Sequence, residues 1–227
     1  MPEIKDPLFH VGHRQRLRDR LHAGKLDDAG VLELALTYAI PRRDVRILAR
    51  TLIHKYGGLH QVFAQSYDQL TNIDKLSDRT ATLFKLIHNA TLAAYHHDLS
   101  AVPVFHNQTQ LLDYLRIMLG SAKHEECHIL YLDDACRLIV DDMHSAGTNN
   151  WAAVYPREIL KRAMAINAKQ IIMVHNHPSY SEPFSADDVA ITQEVMDLLT
   201  PVGIILFDHY LVCADKVFSM RNSQLIK

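Results

Sequence analysis

Apolar positions along this chain keep two different periods, and the change between them falls near residue 100. From His13 to about His97 the spacing is helical. In RDVRILARTLIHKYGG, Val45, Leu48, Ala49, Leu52, Ile53 and Tyr56 recur at the intervals of one buried helix face, and Gly57 supplies the left-handed residue that closes it. VLELALTYAI repeats the pattern, as do Leu83, Leu86, Ile87 and Ala90. Pro41 separates the second helix from the third, because the residue before a proline is pushed out of the helical region. LSAVPVFHN, residues 99–107, interrupts the pattern with a proline and no polar face. Residues 1–98 therefore read as an all-α helical domain, 99–107 as a linker and 108–227 as a second domain.

Beyond the linker the elements are mixed. HILYLDD and RLIVDDM are short strand-like runs on either side of a turn. PREILKRAMAINA opens with a proline at the first helical position and continues as an amphipathic helix. AKQIIMVH reads as a buried strand, SADDVAITQEVMDLL as a helix capped by Ser185, and VGIILFDHYLV as a pair of strand-like pieces. Strands interleaved with helices predict an α/β domain, a sheet covered by helices. The chain shows no internal repeat and no low-complexity tract.

Composition narrows the function classes. A formal net charge of −2 over 227 residues gives no overall signal for nucleic acid. The local exception is residues 1–60, with 11 Lys/Arg against 7 Asp/Glu, much of the excess in HRQRLRDRL at Arg14, Arg16, Arg18 and Arg20. A solvated helix face accounts for an excess of that size before a nucleic-acid contact is needed. Cys127, Cys136 and Cys213 form no CxxC spacing and an odd count, which fits free thiols in a reducing cytoplasm. No apolar run approaches the ~18 residues that span a bilayer, and MPEIKDPLFH has no signal-peptide core. The expectation is a cytoplasmic protein with no membrane partner.

Two stretches resemble zinc sites. HEECH, His124 to His128, has the HExxH spacing, which binds one metal only on a helix, where residues i and i+4 lie about 6 Å apart. On a strand the same pair is separated by roughly 13 Å. HEECHILYLDD is a short run rich in β-forming residues, so the strand reading is preferred. In the second stretch, His175 and His177 follow the strand run IIMV, with Pro178 ending the ladder. Residues i and i+2 of an extended chain face the same side, so both imidazoles can reach one ion. Asp188, in the first turn of the next helix, can fold back as an oxygen ligand and leave a fourth tetrahedral position for water. His175, His177 and Asp188 are thus the expected ligands of Zn2+.

His175, His177, Pro178, Ser185 and Asp188 match the JAMM motif of the JAB/MPN metalloprotease superfamily, HxHP followed by SxxD. The surrounding sequence resembles the RadC family in particular: VYPREILKRAMAINAKQIIMV before HNHPS, and DHYLV after it at Asp208 and His209. The likeness covers most of residues 108–222, and GHRQRLRDRL, LELALTYAI and LARTLIHKYGGL extend it to the N-terminal helices. It implies a JAB/MPN, cytidine-deaminase-like mixed sheet and an N-terminal helix-hairpin-helix. It also implies a glutamate base eight residues before the aspartate of a strand ending in LD. That aspartate is Asp133 and the count reaches Glu125, inside HEECH, with Glu126 the register-slipped alternative.

Ser185 has two candidate roles, the helix cap and the family's hydrogen bond to a developing oxyanion. Asn176 points away from its flanking histidines and reads as structural. Asp208 or His209 either orients a ligand imidazole or forms a satisfied core pair, with the core pair preferred. Gly147-Thr148 reads as a turn. Two departures stand out. Tyr180 replaces the glycine of the usual HNHPSG, and NIDKLSDR puts Lys75 and Ser77 where the hairpin glycines belong, which weakens the case for duplex binding despite Lys75 and Arg79. The resemblance implies a zinc-dependent hydrolase that cleaves a peptide or isopeptide bond of an unidentified protein or peptide substrate. The alternatives are a DNA-associated repair or recombination accessory with a structural metal, and an inactive scaffold. The oligomeric state stays open.

Overall fold

The computed structural model describes residues 12–74, 76–146, 155–178 and 184–226. The chain divides into two compact units, Met1–His88 and Asn89–Lys227. Several sequence features lie outside the described residues: MPEIKDPLFH, Lys75, Gly147-Thr148, Tyr180 and the segment 181–183.

The first unit is helical: α1 His13–His22, α2 Asp28–Ala39, α3 Arg46–Tyr56, α4 Leu59–Ala64, α5 Tyr67–Thr71 and the first turns of α6, Asp78–Ala101. The α3 stripe does what its spacing predicts. Val45, Ala49 and Leu52 enter a core with Leu32, Leu36, Val62, Phe63 and Phe84, while Leu48, Ile53 and Tyr56 pack against it. Gly57 closes α3 at φ 92°, its N–H donating to the Ile53 carbonyl at 2.8 Å. In the arginine-rich α1 only Leu17 is buried. The segment in place of the hairpin glycines carries side chains that are in use: Leu76 is buried and the Ser77 hydroxyl lies 3.2 Å from that of Thr80.

The second unit is a five-stranded mixed sheet with helices. Its strands are β1 Glu126–Leu132, β2 Leu138–Ala146, β3 Gln170–Asn176, β4 Ile205–Cys213 and β5 Lys216–Ser219, in the order β2-β1-β3-β4-β5. Among the described strands only β3 and β4 pair in parallel, joined through the helix α9, Ala186–Leu199. The period-2 alternation of β1 and β3 sorts their side chains between two cores. Leu130, Leu132, Ile172 and Val174 pack with Leu111, Leu115 and Leu119 of α7, Gln108–Leu119. Cys127, Ile129, Tyr131, Ile171 and Met173 pack with Ile159 and Ala163 of α8, Pro156–Ala165, and with Val195 and Leu199 of α9.

Two expectations differ from the structure. The stretch 99–107 holds the end of α6 and the 3-10 turn Val104–His106, and Leu99 and Val104 are fully buried in the core of the second unit. The division between units falls earlier, within α6. VGIILFDHYLV forms one strand, β4, instead of two pieces. Its polar interruption is absorbed, because Asp208 accepts from Ser219 Oγ at 2.5 Å and from the backbone N–H of Arg221 at 3.0 Å.

Candidate metal centre

The candidate centre forms at the carboxyl end of β3, the side of a parallel βαβ unit where ligands commonly bind. Alternation turns His175 to the α8/α9 face, in register with Cys127, and His177 follows on the same side, its backbone N–H held by the Val212 carbonyl at 3.1 Å. Ser185 caps α9 in a reciprocal box: its Oγ accepts from the Asp188 N–H at 3.1 Å, and Asp188 Oδ2 accepts from the Ser185 N–H at 2.6 Å. The cap fixes Asp188 so that its carboxylate faces the histidines. His175 Nε2 lies 3.1 Å from His177 Nε2 and 3.3 Å from Asp188 Oδ1, and His177 Nε2 lies 3.6 Å from Asp188 Oδ2.

Glu125 completes the group. One donor atom from each of Glu125, His175, His177 and Asp188 lies within 4.8 Å of the others. Glu125 immediately precedes β1, and Asn176 brackets it: the Glu126 N–H donates to Asn176 Oδ1 at 2.9 Å, and Asn176 Nδ2 donates to the His124 carbonyl at 3.0 Å. The reading of Asn176 as structural therefore acquires a specific content, since its side chain extends the β1–β3 ladder past the last strand residue. HEECH is not helical: Glu126, Cys127 and His128 open β1, as the composition predicts, while His124 and Glu125 precede the strand. Glu126 turns instead to His128, 3.4 Å away, and neither His124 nor His128 joins the metal group.

The electrostatics follow from burial. Asp188 is 0% exposed, and burial alone would raise its pKa. Hydrogen bonding and charge from His175, with the N–H and hydroxyl of Ser185, outweigh this and hold the carboxyl well below the usual range. Burial lowers His175, against the pull of Asp188. Burial raises Glu125, His177 opposes the rise and Asp188 adds to it. The Cys127 thiol is pushed up by burial and then by Glu125 and Asp188, so it stays protonated beside the group without joining it.

For Asp208 and His209 the sequence favoured a satisfied core pair over contact with a ligand imidazole; the structure keeps Asp208 as a satisfied core group and sets His209 against His175. Asp208 faces Ser219 and Arg221, whereas His209 Nε2 lies 2.8 Å from His175 Nδ1 and His209 Nδ1 lies 2.6 Å from Thr192 Oγ1. Thr192, in the middle of α9, was not signalled by any motif. Phe184 packs over both imidazoles, with ring centroids 6.0 Å from His175 and 5.7 Å from His209.

The donor set fits a small divalent cation. Two imidazoles and a carboxylate are zinc ligands, and donors arranged tetrahedrally at about 2.0–2.1 Å from an ion stand roughly 3.3–3.4 Å apart. The separations of 3.1 Å between His175 Nε2 and His177 Nε2 and 3.3 Å between His175 Nε2 and Asp188 Oδ1 lie close to that value. Glu125 and His177 are half-buried, whereas His175 and Asp188 are buried.

Residues 105–225 match the RadC-like JAB domain. A UPF0758 protein of Fusobacterium nucleatum is 34% identical over 225 residues, covering 95% of this chain and 97% of that protein. UPF0758 proteins of Ruegeria pomeroyi and Rhodobacter capsulatus are each 32% identical, over 95% and 92% of this chain and 97% and 100% of their own lengths. With the domain match spanning more than half of the chain and relatives aligned nearly end to end, the protein belongs to the RadC-like JAB domain family.

Proposed function

We propose that the chain is a zinc-dependent hydrolase of the JAMM type, cleaving a peptide or isopeptide amide. The observation that carries this reading is the convergence of Glu125, His175, His177 and Asp188 within 4.8 Å, two of them buried and two half-buried. His175, His177 and Asp188 would hold the zinc, which when bound supplies a water acidified toward a pKa of about 7 and polarises the scissile carbonyl. Glu125 would serve as general base and then general acid, accepting a proton from the attacking water and returning it to the leaving nitrogen, and its burial-raised pKa suits a group that must both accept and donate. Asn176 keeps the Glu125 backbone in place through its two hydrogen bonds.

Ser185 caps α9, its Oγ accepting the Asp188 N–H while its hydroxyl helps hold the Asp188 carboxylate ionised. The oxyanion role would draw on that same single hydroxyl hydrogen, turned from the carboxylate to the substrate oxygen. The experiment is elemental analysis beside hydrolysis of a panel of peptide and isopeptide amides. Glu125→Gln should retain stoichiometric zinc and lose about 10²- to 10⁴-fold in rate. Equal hydrolysis by this variant and the wild type would remove Glu125 from the mechanism.

A further inference from the structure

A cleft of about 410 Å³ opens in the helical unit between the start of α1, the later turns of α2 and the loop that joins α2 to α3. Four arginines line it, Arg14, Arg42, Arg43 and Arg46, against two carboxylates, Glu33 and Asp44. Both carboxylates are already engaged. Glu33 Oε1 lies 2.7 Å from His13 Nε2, and Asp44 accepts from the Arg46 backbone N–H at 3.0 Å and from its guanidinium at 2.8 and 3.2 Å. The guanidiniums of Arg14, Arg42 and Arg43 make no ion pair among the described residues. Arg14 is half-buried and the other two are exposed, so all three can be reached from solvent.

The backbone adds to the same imbalance. α1 opens on Gly12, which has no side chain to cap it, and its first turn holds no acidic residue. The first N–H groups of a helix have no intrahelical acceptor and carry the positive end of its dipole, and two residues that bear them here, His13 and Arg14, line the cleft. In the loop, Arg42 holds φ 64°, a left-handed conformation that glycine or asparagine takes at less cost. The loop thus places a guanidinium on the cleft at a position where its own geometry favours a residue without one.

We propose that this cleft is a phosphoryl-binding site, with Arg14, Arg42 and Arg43 supplying the donors. A planar carboxylate is satisfied by the fork of one guanidinium, whereas a phosphoryl group offers oxygens on several sides and up to two charges, which suits forks arriving from α1 and from consecutive loop positions. Since one water occupies about 30 Å³ in the liquid, the volume of about 410 Å³ admits a phosphoryl group together with a second one or a sugar. The same oxyanion chemistry serves a small polyphosphate and a nucleic-acid backbone, and the test separates these two sources. The cleft lies within the helical unit, so the proposal does not depend on the reading of the metal group.

The test uses the full-length chain and inorganic pyrophosphate at low ionic strength, followed by titration calorimetry, with a short DNA duplex as competitor. Arg42→Gly removes one guanidinium and relaxes the turn, so it should fold at least as stably as the wild type, and Arg14→Gln removes another. Each should weaken pyrophosphate binding about tenfold or more. Arg50→Gln, at an exposed arginine of α3 outside the cleft, should stay within about twofold. Displacement of pyrophosphate by the duplex, with the same loss in the variants, assigns the site to a nucleic-acid backbone, and a duplex that leaves the pyrophosphate in place assigns it to a small polyphosphate. No binding at millimolar pyrophosphate, or equal binding by wild type, Arg42→Gly and Arg14→Gln, would overturn the proposal. Binding that is lost in His177→Ala but kept in Arg42→Gly would place the pyrophosphate on the metal group and overturn it as well.

Discussion

The two units of this protein both bury histidine, and they surround it differently. In the helical unit His88 is 8% exposed, and burial pushes its pKa down to about 4, with Lys85 and His60 pushing the same way. In the sheet unit His175 is 0% exposed, and burial again lowers it, but Asp188 pulls in the opposite direction. The lesson concerns neighbours. A chain with 15 histidines is not marked by any one of them, whereas a carboxylate buried to 0% against two imidazoles demands a compensating charge. One region excludes a proton, and the other gathers a candidate metal-binding group.

The comparison breaks most sharply at the ligands. His177→Ala should lower zinc affinity by more than about a hundredfold, beyond the range expected for an outer partner, as measured by chelator competition. Retained affinity would reduce the sheet histidines to the same status as His88. A second contrast lies within HEECH. Glu125→Gln should lose about 10²- to 10⁴-fold in amide hydrolysis, while Glu126→Gln, altered on the side facing His128, should stay within about twofold. The reverse ranking would mean that the strand is read in the wrong register.

The third prediction concerns acid. The unfolded chain binds a proton at His88 near pH 6.5, whereas the folded chain resists until about pH 4. Between those values the unfolded state holds more protons, so stability falls as the pH falls, by on the order of 3 kcal/mol in all, and above about pH 6.5 this contribution is constant. Amide exchange in residues 12–74 should accelerate across that window, and His88→Leu should flatten the dependence. The smallest effect belongs to the helix cap. Ser185→Ala should cost about 1 kcal/mol in urea denaturation, and Ser185→Thr should recover most of it.

Much of the centre was legible because strand alternation and helix capping are local rules. His175 and His177 share a face by parity, and Ser185 with Asp188 spells a reciprocal cap. Glu125 was reached only through the family likeness, since nothing in HEECH distinguishes it from Glu126 except which face of the sheet the register assigns. Thr192 and the division of Asp208 from His209 were not legible. Their roles depend on β3 and β4 lying side by side, a pairing between residues 34 apart in the chain. The single strand over Ile205–Cys213 was missed for a similar reason, because the partners that satisfy Asp208 come from β5 and the turn after it.

The reciprocal cap at the start of α9 also limits how this site can change over evolutionary time. A cysteine or histidine at position 188 would offer another soft or borderline donor to a metal, yet neither would reproduce the carboxylate that accepts the Ser185 N–H at 2.6 Å while keeping a second oxygen toward His175. A substitution that explored a different metal preference would therefore unravel the first turn of a helix that helps cover the sheet. The oxygen donor is fixed by the architecture as much as by the chemistry it serves.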